Sequence, residues 1–218
     1  MHLTRRGLLA RSSLAALALP LLRPTPATDD ALPWQIAAAP PPEPGPALPP
    51  TERNILGPYW RAGAPHRAKV CPPCAGGTVL LIAGQVRATD RAELPGALID
   101  IWHADQHGRY DNDDLAHPPT AFINRARLVT DEHGAYAIET ILPGPYQTAP
   151  DRWRPRHIHL RVRAAGCAEL ITQLYFSGDA HQDTDPFIRP SLIIALEAVR
   201  GDTAEYRQGR FDIVLARA

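Results

Sequence analysis

The chain lacks an excess of charge of either sign and contains few cysteines. Its 218 residues include 23 Lys and Arg against 23 Asp and Glu, and only three Cys. A protein that binds nucleic acids or anionic membranes usually has an excess of basic residues, and this chain has none. A single C-x-x-C pair supplies two of the four ligands that a structural zinc site needs. The composition therefore argues against a nucleic-acid-binding protein and against a zinc module.

The cysteines are Cys71 and Cys74, which form a C-P-P-C pair, and the separate Cys167. A thioredoxin-like redox pair stands at the start of a helix, whereas the following "AGGTVLLIAGQV" indicates a glycine turn and then a strand. We therefore expect a small structural disulfide between Cys71 and Cys74. Its entropic stabilisation should be slight because the closed loop is very short.

The N-terminal apolar run, residues 12–22, is shorter than the about 20 residues that span a bilayer. It follows the pair Arg5 and Arg6 and precedes small residues, a pattern typical of a twin-arginine signal peptide. We predict cleavage after Ala27, with a competing site near Ala39, and export to the periplasm or the extracellular space. A proline-rich linker over residues 28–50 would then lead into one domain over residues 51–218.

From residue 78 onward, short runs rich in Val, Ile, Leu and aromatic residues alternate with turn signals. About seven short strands with such punctuation predict an all-β fold, specifically an antiparallel β-sandwich. The segment 191–199 fits a strand and a short helix equally, since its apolar residues do not alternate cleanly. The other predicted strands cover residues 78–87, 97–103, 135–141, 156–163, 168–176 and 211–216.

One of these strands carries two histidines, in the stretch "RWRPRHIHLRV" over residues 152–162. His157 and His159 flank a single residue, so they share one face of the strand while Ile158 points to the other. Their Cα atoms should be about 7 Å apart, close enough for both imidazoles to reach one ion. On its own, such a pair is equally consistent with two solvated imidazoles.

Two tyrosines follow predicted strands and turns, Tyr110 in "IDIWHADQHGRYDN" and Tyr146 in "ETILPGPYQT". Proline on both sides of Gly144 stiffens the second turn and holds Tyr146 in a defined direction. Each tyrosine alone is typical of a packing residue with a hydrogen-bonded hydroxyl. Two phenolates together with two neutral imidazoles, however, suit a ferric ion better than zinc or copper.

Six motifs follow one another over residues 51–216: "TERNILGPYWRAGAP", "LPGALIDIWHADQHGRYDN", "RARLVTDEHGAYAIETILPGPY", "DRWRPRHIHLRV", "LITQLYFSGD" and "FDIVLARA". In order and spacing they resemble those of the intradiol ring-cleavage dioxygenases, most closely the protocatechuate 3,4-dioxygenase type. The resemblance implies a non-haem Fe(III) site on a β-sandwich and no organic cofactor. It also implies that O2 cleaves a catechol-type ring between its two hydroxylated carbons, giving a muconate-type diacid.

The resemblance assigns the four iron ligands and gives them unequal roles. Tyr146 matches the axial tyrosinate that the substrate displaces and that acts as a base, and His159 matches the other axial ligand. Tyr110 and His157 match the equatorial pair, which shares its plane with a hydroxide.

Four further residues match positions around the iron of the family. Arg154 corresponds to the arginine that stabilises charge developing on the substrate, and Gln173 to a pocket glutamine beside it. A guanidinium is suited to that task because it stays charged at every relevant pH. Trp102 corresponds to an aromatic residue near the iron, and Tyr59, in the "GPYW" stretch, is assigned to the substrate pocket.

The sequence leaves the substrate and the assembly open. A basic residue that reads a substrate carboxylate could be Arg61, Arg67 or Arg127. The expected partners are a catechol-type molecule and O2, without nucleic acid or stable membrane insertion after signal cleavage. Because the family includes heteromeric assemblies, both a homo-oligomer and a hetero-oligomer are compatible with the chain.

Three alternatives remain from the residues themselves. The chain could be an exported, catalytically silent β-sandwich binding module, or a catechol-binding protein without turnover. It could also hold copper or zinc through His157, His159 and one of His103 or His107. The last two are four residues apart in "HADQH", but the segment indicates a strand end and a turn, which argues against helical i, i+4 ligation.

Overall fold

The computed structural model describes residues 45–113, 119–202 and 204–218, so the predicted signal peptide, its cleavage sites and most of the linker lie outside the described residues. No helix in these ranges is long and apolar enough to cross a membrane. The helices described are two 3-10 turns, Gln182–Thr184 and Pro190–Leu192. The strands are β1 (Val79–Ala88), β2 (Leu98–Trp102), β3 (Arg125–Val129), β4 (Ala135–Ile141), β5 (Tyr146–Ala149), β6 (Arg152–Arg154), β7 (His157–Arg163), β8 (Leu170–Phe176), β9 (Ile193–Ile194), β10 (Glu197–Arg200), β11 (Glu205–Arg210) and β12 (Ile213–Leu215).

The first sheet is built around the long, mostly buried strand β1. Strand β4 pairs with it in antiparallel fashion. Strands β11 and β12 run parallel to β1 in one continuous register, with Leu80 opposite Arg207 and Ala88 opposite Leu215. Strand β10 pairs antiparallel with β11 and forms the edge. The sheet is therefore mixed.

The second sheet has the order β3-β2-β7-β8-β9 and presents the candidate site at one end. Its first four strands are antiparallel neighbours, whereas β9 joins β8 in parallel. The prediction of a purely antiparallel sandwich is thus wrong for both sheets. An alternating apolar pattern defines the buried face of a strand but carries no information on the direction of its neighbour.

One hydrophobic cluster takes side chains from both sheets, which therefore pack face to face as in a sandwich. Leu80 and Ile82 come from β1, Ile99 from β2, and Leu160 from β7, each 2% exposed or less. Burying such an aliphatic side chain stabilises the fold by roughly 1.5–3 kcal/mol. A second, smaller cluster of aromatic residues centres on Trp102, the last residue of β2, and is separate from this core.

Most predicted strands are found within about two residues of their expected ends, but the ambiguous segment 191–199 is neither of the two alternatives. It contains the end of a 3-10 turn followed by the short strands β9 and β10. Four strands escaped prediction: β3, β5, β6 and β11. Strand β3 reads "RARLV" and β11 reads "EYRQGR", so charged residues mask the β pattern that apolar residues would give.

The expected disulfide is also wrong, because all three cysteines, which lie within the described ranges, are free thiols. The Cys71 side chain is buried, whereas Cys74 is exposed and has a left-handed backbone (φ 59°). Burial is also the main reason that the pKa of the Cys71 thiol is raised.

Candidate functional site

The histidine pair lies at the start of β7, where the second sheet meets the aromatic cluster. His159 is aligned between Trp102 of β2 and Gln173 of β8, and His157 is opposite Tyr175 of β8. Both imidazoles are almost completely buried, at 3% and 1% exposure. Their ring centroids are 4.8 Å apart. Strand geometry thus brings the two rings together as the H-x-H spacing predicts, but in the protein interior.

Tyr110 is displayed on the loop that follows β2, and a buried ion pair fixes this loop. The Nε of Arg125 on β3 donates to Asp111 Oδ1 at 2.7 Å, and its Nη2 lies 2.6 Å from the same oxygen. Arg61 donates to the other carboxylate oxygen at 2.7 Å. The Asp113 carboxylate accepts the Tyr110 backbone N–H at 3.1 Å. Asp111 and Asp113, which follow Tyr110, therefore fix the backbone of this loop.

Tyr146 begins a separate two-stranded hairpin, β5–β6, in which it is paired with Arg154. Two glycines let the loops that carry Tyr110 and Tyr146 pack tightly together. A Cβ on Gly108 would lie 2.3 Å from the Pro145 carbonyl oxygen, and one on Gly144 would lie 2.4 Å from the Gln106 carbonyl oxygen. Because real Cβ atoms cannot approach so closely, both positions require glycine.

The two tyrosines and two histidines converge on one small volume. Ring centroids are 5.8 Å apart for Tyr110 and Tyr146, 5.7 Å for Tyr146 and His157, and 6.4 Å for Tyr110 and His159. The Tyr110 hydroxyl lies 3.3 Å from His157 Nε2. All four predicted metal ligands are therefore neighbours, although they come from three separate parts of the chain.

Burial sets the protonation of these groups when only protein surrounds them. It lowers the pKa of His157 to about 3 and holds that of His159 well below its usual value. His157 Nδ1 donates to the Pro155 carbonyl at 2.7 Å, which leaves Nε2 as an unprotonated lone pair. Burial also raises the pKa of Tyr110 and Tyr146. The site thus holds two neutral imidazoles and two neutral phenols, because the effect of burial on the phenols outweighs the opposing effect of the Arg154 charge.

Arg154 is the cationic group of the site and is held by three acceptors. Its Nε donates to Asp185 at 2.7 Å, and its Nη2 donates to Gln173 Oε1 at 2.6 Å and to the Tyr175 hydroxyl at 3.3 Å. Gln173 in turn donates to Asn54 Oδ1 at 3.1 Å. Arg154 is 7% exposed, so it is a buried cation and not a solvated surface charge.

Trp102 and Tyr59 both pack on the proposed ligands. The indole of Trp102 stacks on His159, with centroids 4.9 Å apart and planes 6° apart. Tyr59 stacks on Tyr110 at 4.0 Å and meets Tyr146 edge-on at 6.2 Å. The structure therefore brings both predicted pocket residues to the site.

The three arginines considered as carboxylate readers bind acceptors inside the protein. Arg61 pairs with Asp111, Arg127 with Asp100, and Arg67 with the backbone carbonyl of Arg125. These contacts hold the loops and the second sheet together.

The histidines considered for a copper or zinc site also lie outside the cluster. His103 is buried between the Ala104 carbonyl and the Thr140 hydroxyl, at 2.7 Å from each. His107 is exposed and contacts Gln106. Among the residues that the structure describes, no group of three His, Cys, Asp or Glu side chains could hold a metal ion. The donors that do converge include the two tyrosines.

Sequence reasoning missed the residues that position Arg154. Asp185 lies 31 residues further along the chain, and its surroundings carry no recognisable motif. Tyr175 follows Gln173 by two residues on β8, so strand periodicity could have placed it on the same face. Asn54 lies in the first motif of the resemblance, but no local pattern ties it to Gln173.

The donor set fits a ferric ion. Two phenol oxygens and two neutral imidazole nitrogens form a hard, mixed O and N set, and His157 Nε2 faces the Tyr110 hydroxyl without an intervening side chain. A trivalent cation would reverse the effect of burial on the tyrosines, because its charge stabilises the phenolate form. The buried imidazoles are already in the neutral form that binds metal.

Comparison with known proteins places this geometry among aromatic-ring dioxygenases. Residues 55–217 match the family described as Dioxygenase. A chlorocatechol 1,2-dioxygenase of Rhodococcus opacus is 31% identical over 186 residues, 76% of this chain and 72% of the relative. A catechol 1,2-dioxygenase of Acinetobacter baylyi is 31% identical over 194 residues, 77% of this chain and 62% of the relative. The chain thus spans between three fifths and three quarters of the length of these two relatives.

The fold agrees with solved structures of such enzymes. The dioxygenase domain of a dioxygenase and carbohydrate-binding protein fusion from Streptomyces sp. SirexAA-E matches with a TM-score of 0.66 and 34% identity. That match covers 78% of this chain and 100% of the domain. The described architecture therefore corresponds to a complete domain of known structure.

Proposed function

The chain belongs to the intradiol ring-cleavage dioxygenases, and we propose that it cleaves a catechol-type aromatic with O2 to a muconate-type diacid. The observation that carries this proposal is the convergence of two tyrosines and two neutral histidines beside one buried arginine. The names of the relatives, catechol and chlorocatechol 1,2-dioxygenases, support the same reaction class. The protocatechuate subtype stays a prediction.

We propose that Tyr110, Tyr146, His157 and His159 hold a non-haem Fe(III). When bound, ferric iron would supply the electron withdrawal that makes a bound catecholate reactive toward O2. Trp102 fixes the ring plane of His159 by stacking on it, and Pro155 fixes the tautomer of His157.

Tyr146 is suited to take up a proton from the substrate. It is only half-buried, whereas Tyr110 is 2% exposed, so a substrate entering from the solvent side meets Tyr146 first. Burial raises its pKa, so its phenolate is a stronger base than that of an exposed tyrosine. Its position on the hairpin β5–β6, outside both main sheets, leaves it less constrained than the histidines of β7.

Arg154 is suited to stabilise negative charge that develops on the substrate. Its side chain lies beside the tyrosines and histidines, and its charge influences the pKa of Tyr110, Tyr146, His157 and His159. Asp185 and Gln173 fix the guanidinium in place, so its dipoles and charge are organised before the reaction begins. Leu56, Tyr59 and Trp60 pack against Trp102 and Tyr110 and make the surroundings of the site apolar.

The decisive experiment uses iron-loaded protein and a panel of catechols. We expect a broad visible tyrosinate-to-iron band that shifts when a catechol is added without O2, followed by O2 uptake and a muconate-type product on aeration. Tyr110→Phe should weaken and shift the band, because Tyr146 remains as a second tyrosinate, and it should retain less iron. Tyr206→Phe, a matched change on the distant strand β11, should keep both. A colourless, iron-free preparation after growth with ample iron would refute the proposal, and a spectral shift without O2 uptake would leave a catechol-binding protein.

We further propose, from the N-terminal sequence pattern alone, that the chain is exported by the twin-arginine route. Mass spectrometry of the mature N-terminus after expression with the full leader tests this. A first residue directly after Ala27 is expected. An uncleaved chain that stays in the cytoplasm would contradict the proposal. The oligomeric state is a separate question, which size-exclusion chromatography of the mature protein decides.

A further inference from the structure

Tyr110, Tyr59 and Asp113 form one wall of the candidate site. Solvent exposure increases along this wall, since Tyr110 is buried, Tyr59 is half-buried and Asp113 is exposed. A catechol whose two hydroxyl groups point towards Tyr110 and the histidines therefore directs the far edge of its ring outward. We expect a substituent on that edge to point towards the more exposed side of Tyr110, on which Tyr59 stacks and to whose backbone Asp113 is bonded.

The Asp113 carboxylate is held in a fixed position relative to the site. It accepts the Tyr110 backbone N–H at 3.1 Å, and its own backbone N–H donates to the Tyr110 carbonyl at 3.1 Å. It also lies beside the Tyr59 hydroxyl, whose pKa is raised first by burial and then by the charge and hydrogen bonding of Asp113. Since Tyr59 stacks on Tyr110 at 4.0 Å, the carboxylate belongs to the same rigid wall as the proposed ligand.

Two arginines near the outer end of the site, among the residues that the structure describes, are bound inside the protein. Arg125 is bound to Asp111, Asn112 and the Tyr59 carbonyl, and Arg61 is bound to Asp111. Deeper in the site, Arg154 is paired with Asp185. We therefore expect a substituent at the outer end of the site to meet the negative charge of Asp113, while the charges of these three arginines are already paired.

We propose that Asp113, held against Tyr59 and Tyr110, selects substrates by charge, favouring catechols with an ammonium-bearing substituent over neutral ones and disfavouring those with a carboxylate. The physical reason is the Coulomb interaction between the substituent and a carboxylate that a backbone hydrogen bond fixes in place. This inference rests on the proposed catechol site and names its substrate class.

The test compares three catechols of similar size: 4-(2-aminoethyl)catechol, 4-propylcatechol and 4-(2-carboxyethyl)catechol. Dissociation constants are measured without O2 on the iron-loaded protein by calorimetry, so that the readout is independent of turnover. We expect the amine to bind most tightly and the carboxylate most weakly, with about two- to five-fold between steps, the range of an exposed charge pair. The differences should shrink as salt is added, because the Debye length falls from about 30 Å at 0.01 M to about 8 Å at 0.15 M.

Asp113→Asn keeps an oxygen that can accept the Tyr110 N–H and removes the charge, so it should bring the three constants together. Asp113→Ser removes the charge with different chemistry and guards against a folding defect in one variant. Glu132→Gln, a matched loss of one charge at a side chain 86% exposed on the turn between β3 and β4, should keep the wild-type order.

The outcomes separate this inference from the proposed function. Tightest binding of the carboxylate by the wild-type protein, or an order that survives both Asp113 variants, overturns the role of Asp113 even if every catechol is cleaved. The expected order without O2 uptake supports the role of Asp113 and refutes the dioxygenase reaction. Failure of all three catechols to bind overturns both.

Discussion

Replacing Arg125 by Met should destabilise the protein strongly, because it leaves the buried Asp111 carboxylate with only Arg61 and the Ile123 backbone N–H as partners. The side chains of Arg125 and Asp111 are 2% and 1% exposed, and the guanidinium holds one carboxylate oxygen through two nitrogens. Met has a similar length and no charge, so the change tests the charge and its hydrogen bonds more than the packing.

The expected loss follows from the burial of the pair. Removing one partner of a buried ion pair costs about 3–5 kcal/mol, because the other charge remains without compensation. Arg61 still binds the second oxygen of Asp111 from a position 20% exposed, so we expect the lower part of this range, about 3 kcal/mol. For a domain of this size, about 2–4 °C in Tm corresponds to each kcal/mol, which predicts a fall of about 6–12 °C.

Circular dichroism melting and urea unfolding of the same variants measure this loss. Adding Asp111→Asn to Arg125→Met should recover part of the stability, since the buried carboxylate charge is then removed and Arg61, 20% exposed, keeps its hydrogen bonds to the Pro119 and Ala121 carbonyls. Arg207→Ala is the control, because Arg207 and its partner Glu205 are 38% and 59% exposed and such pairs contribute little. A Tm within about 2 °C of wild type for Arg125→Met, or a double variant less stable than the single one, would refute the reasoning.

Three further changes test other parts of the structure. Burial lowers the pKa of His103 from 6.5 to about 4, so between these pH values the unfolded chain binds more protons and the free energy of unfolding falls as the pH falls. His103→Gln should reduce this slope, measured by urea unfolding, by up to about 1.4 kcal/mol per pH unit. Parallel profiles of variant and wild type would contradict this. A Cβ on Gly84 would lie 1.9 Å from the Phe211 carbonyl oxygen, so Gly84→Ala should cost about 3 kcal/mol in urea unfolding, and an unchanged midpoint would show that the backbone can yield. Arg154→Lys keeps the charge but not the planar fork that binds two acceptors, so kcat should fall about 10- to 100-fold in steady-state kinetics, and an unchanged kcat would rule out a need for the fork.

The parts of the site that the sequence could predict are those determined by local geometry. His157 and His159 share one face because strand side chains alternate, and Tyr146 follows a turn whose prolines restrict its direction. The structure places both features as expected, with ring centroids of the histidines 4.8 Å apart. The assignment of these residues to one ferric site depended on resemblance, since spacing alone does not show that a loop at Tyr110 reaches a strand 47 residues later.

What could not be predicted depends on long-range pairing. The parallel addition of β11 and β12 to β1 joins segments more than a hundred residues apart, and no local pattern encodes the direction of that pairing. Strand β3 was missed because its arginines look solvent-facing, yet Arg125 is buried by the ion pair with Asp111. A charged residue becomes a core residue only when a distant partner compensates its charge.

The positions of Arg154 and Tyr146 connect these two kinds of information. They are directly paired on the hairpin β5–β6, which belongs to neither main sheet. The hairpin is secured at β6, where Arg154 binds Asp185 and Trp153 stacks on His181 with centroids 4.8 Å apart. A displacement of the hairpin would therefore move the proposed base and the charge-stabilising arginine together, whereas the histidines on β7 would keep their places in the sheet. We therefore expect residues 181–185 to affect the site only by holding the hairpin β5–β6 in place, since none of them belongs to the proposed ligand set.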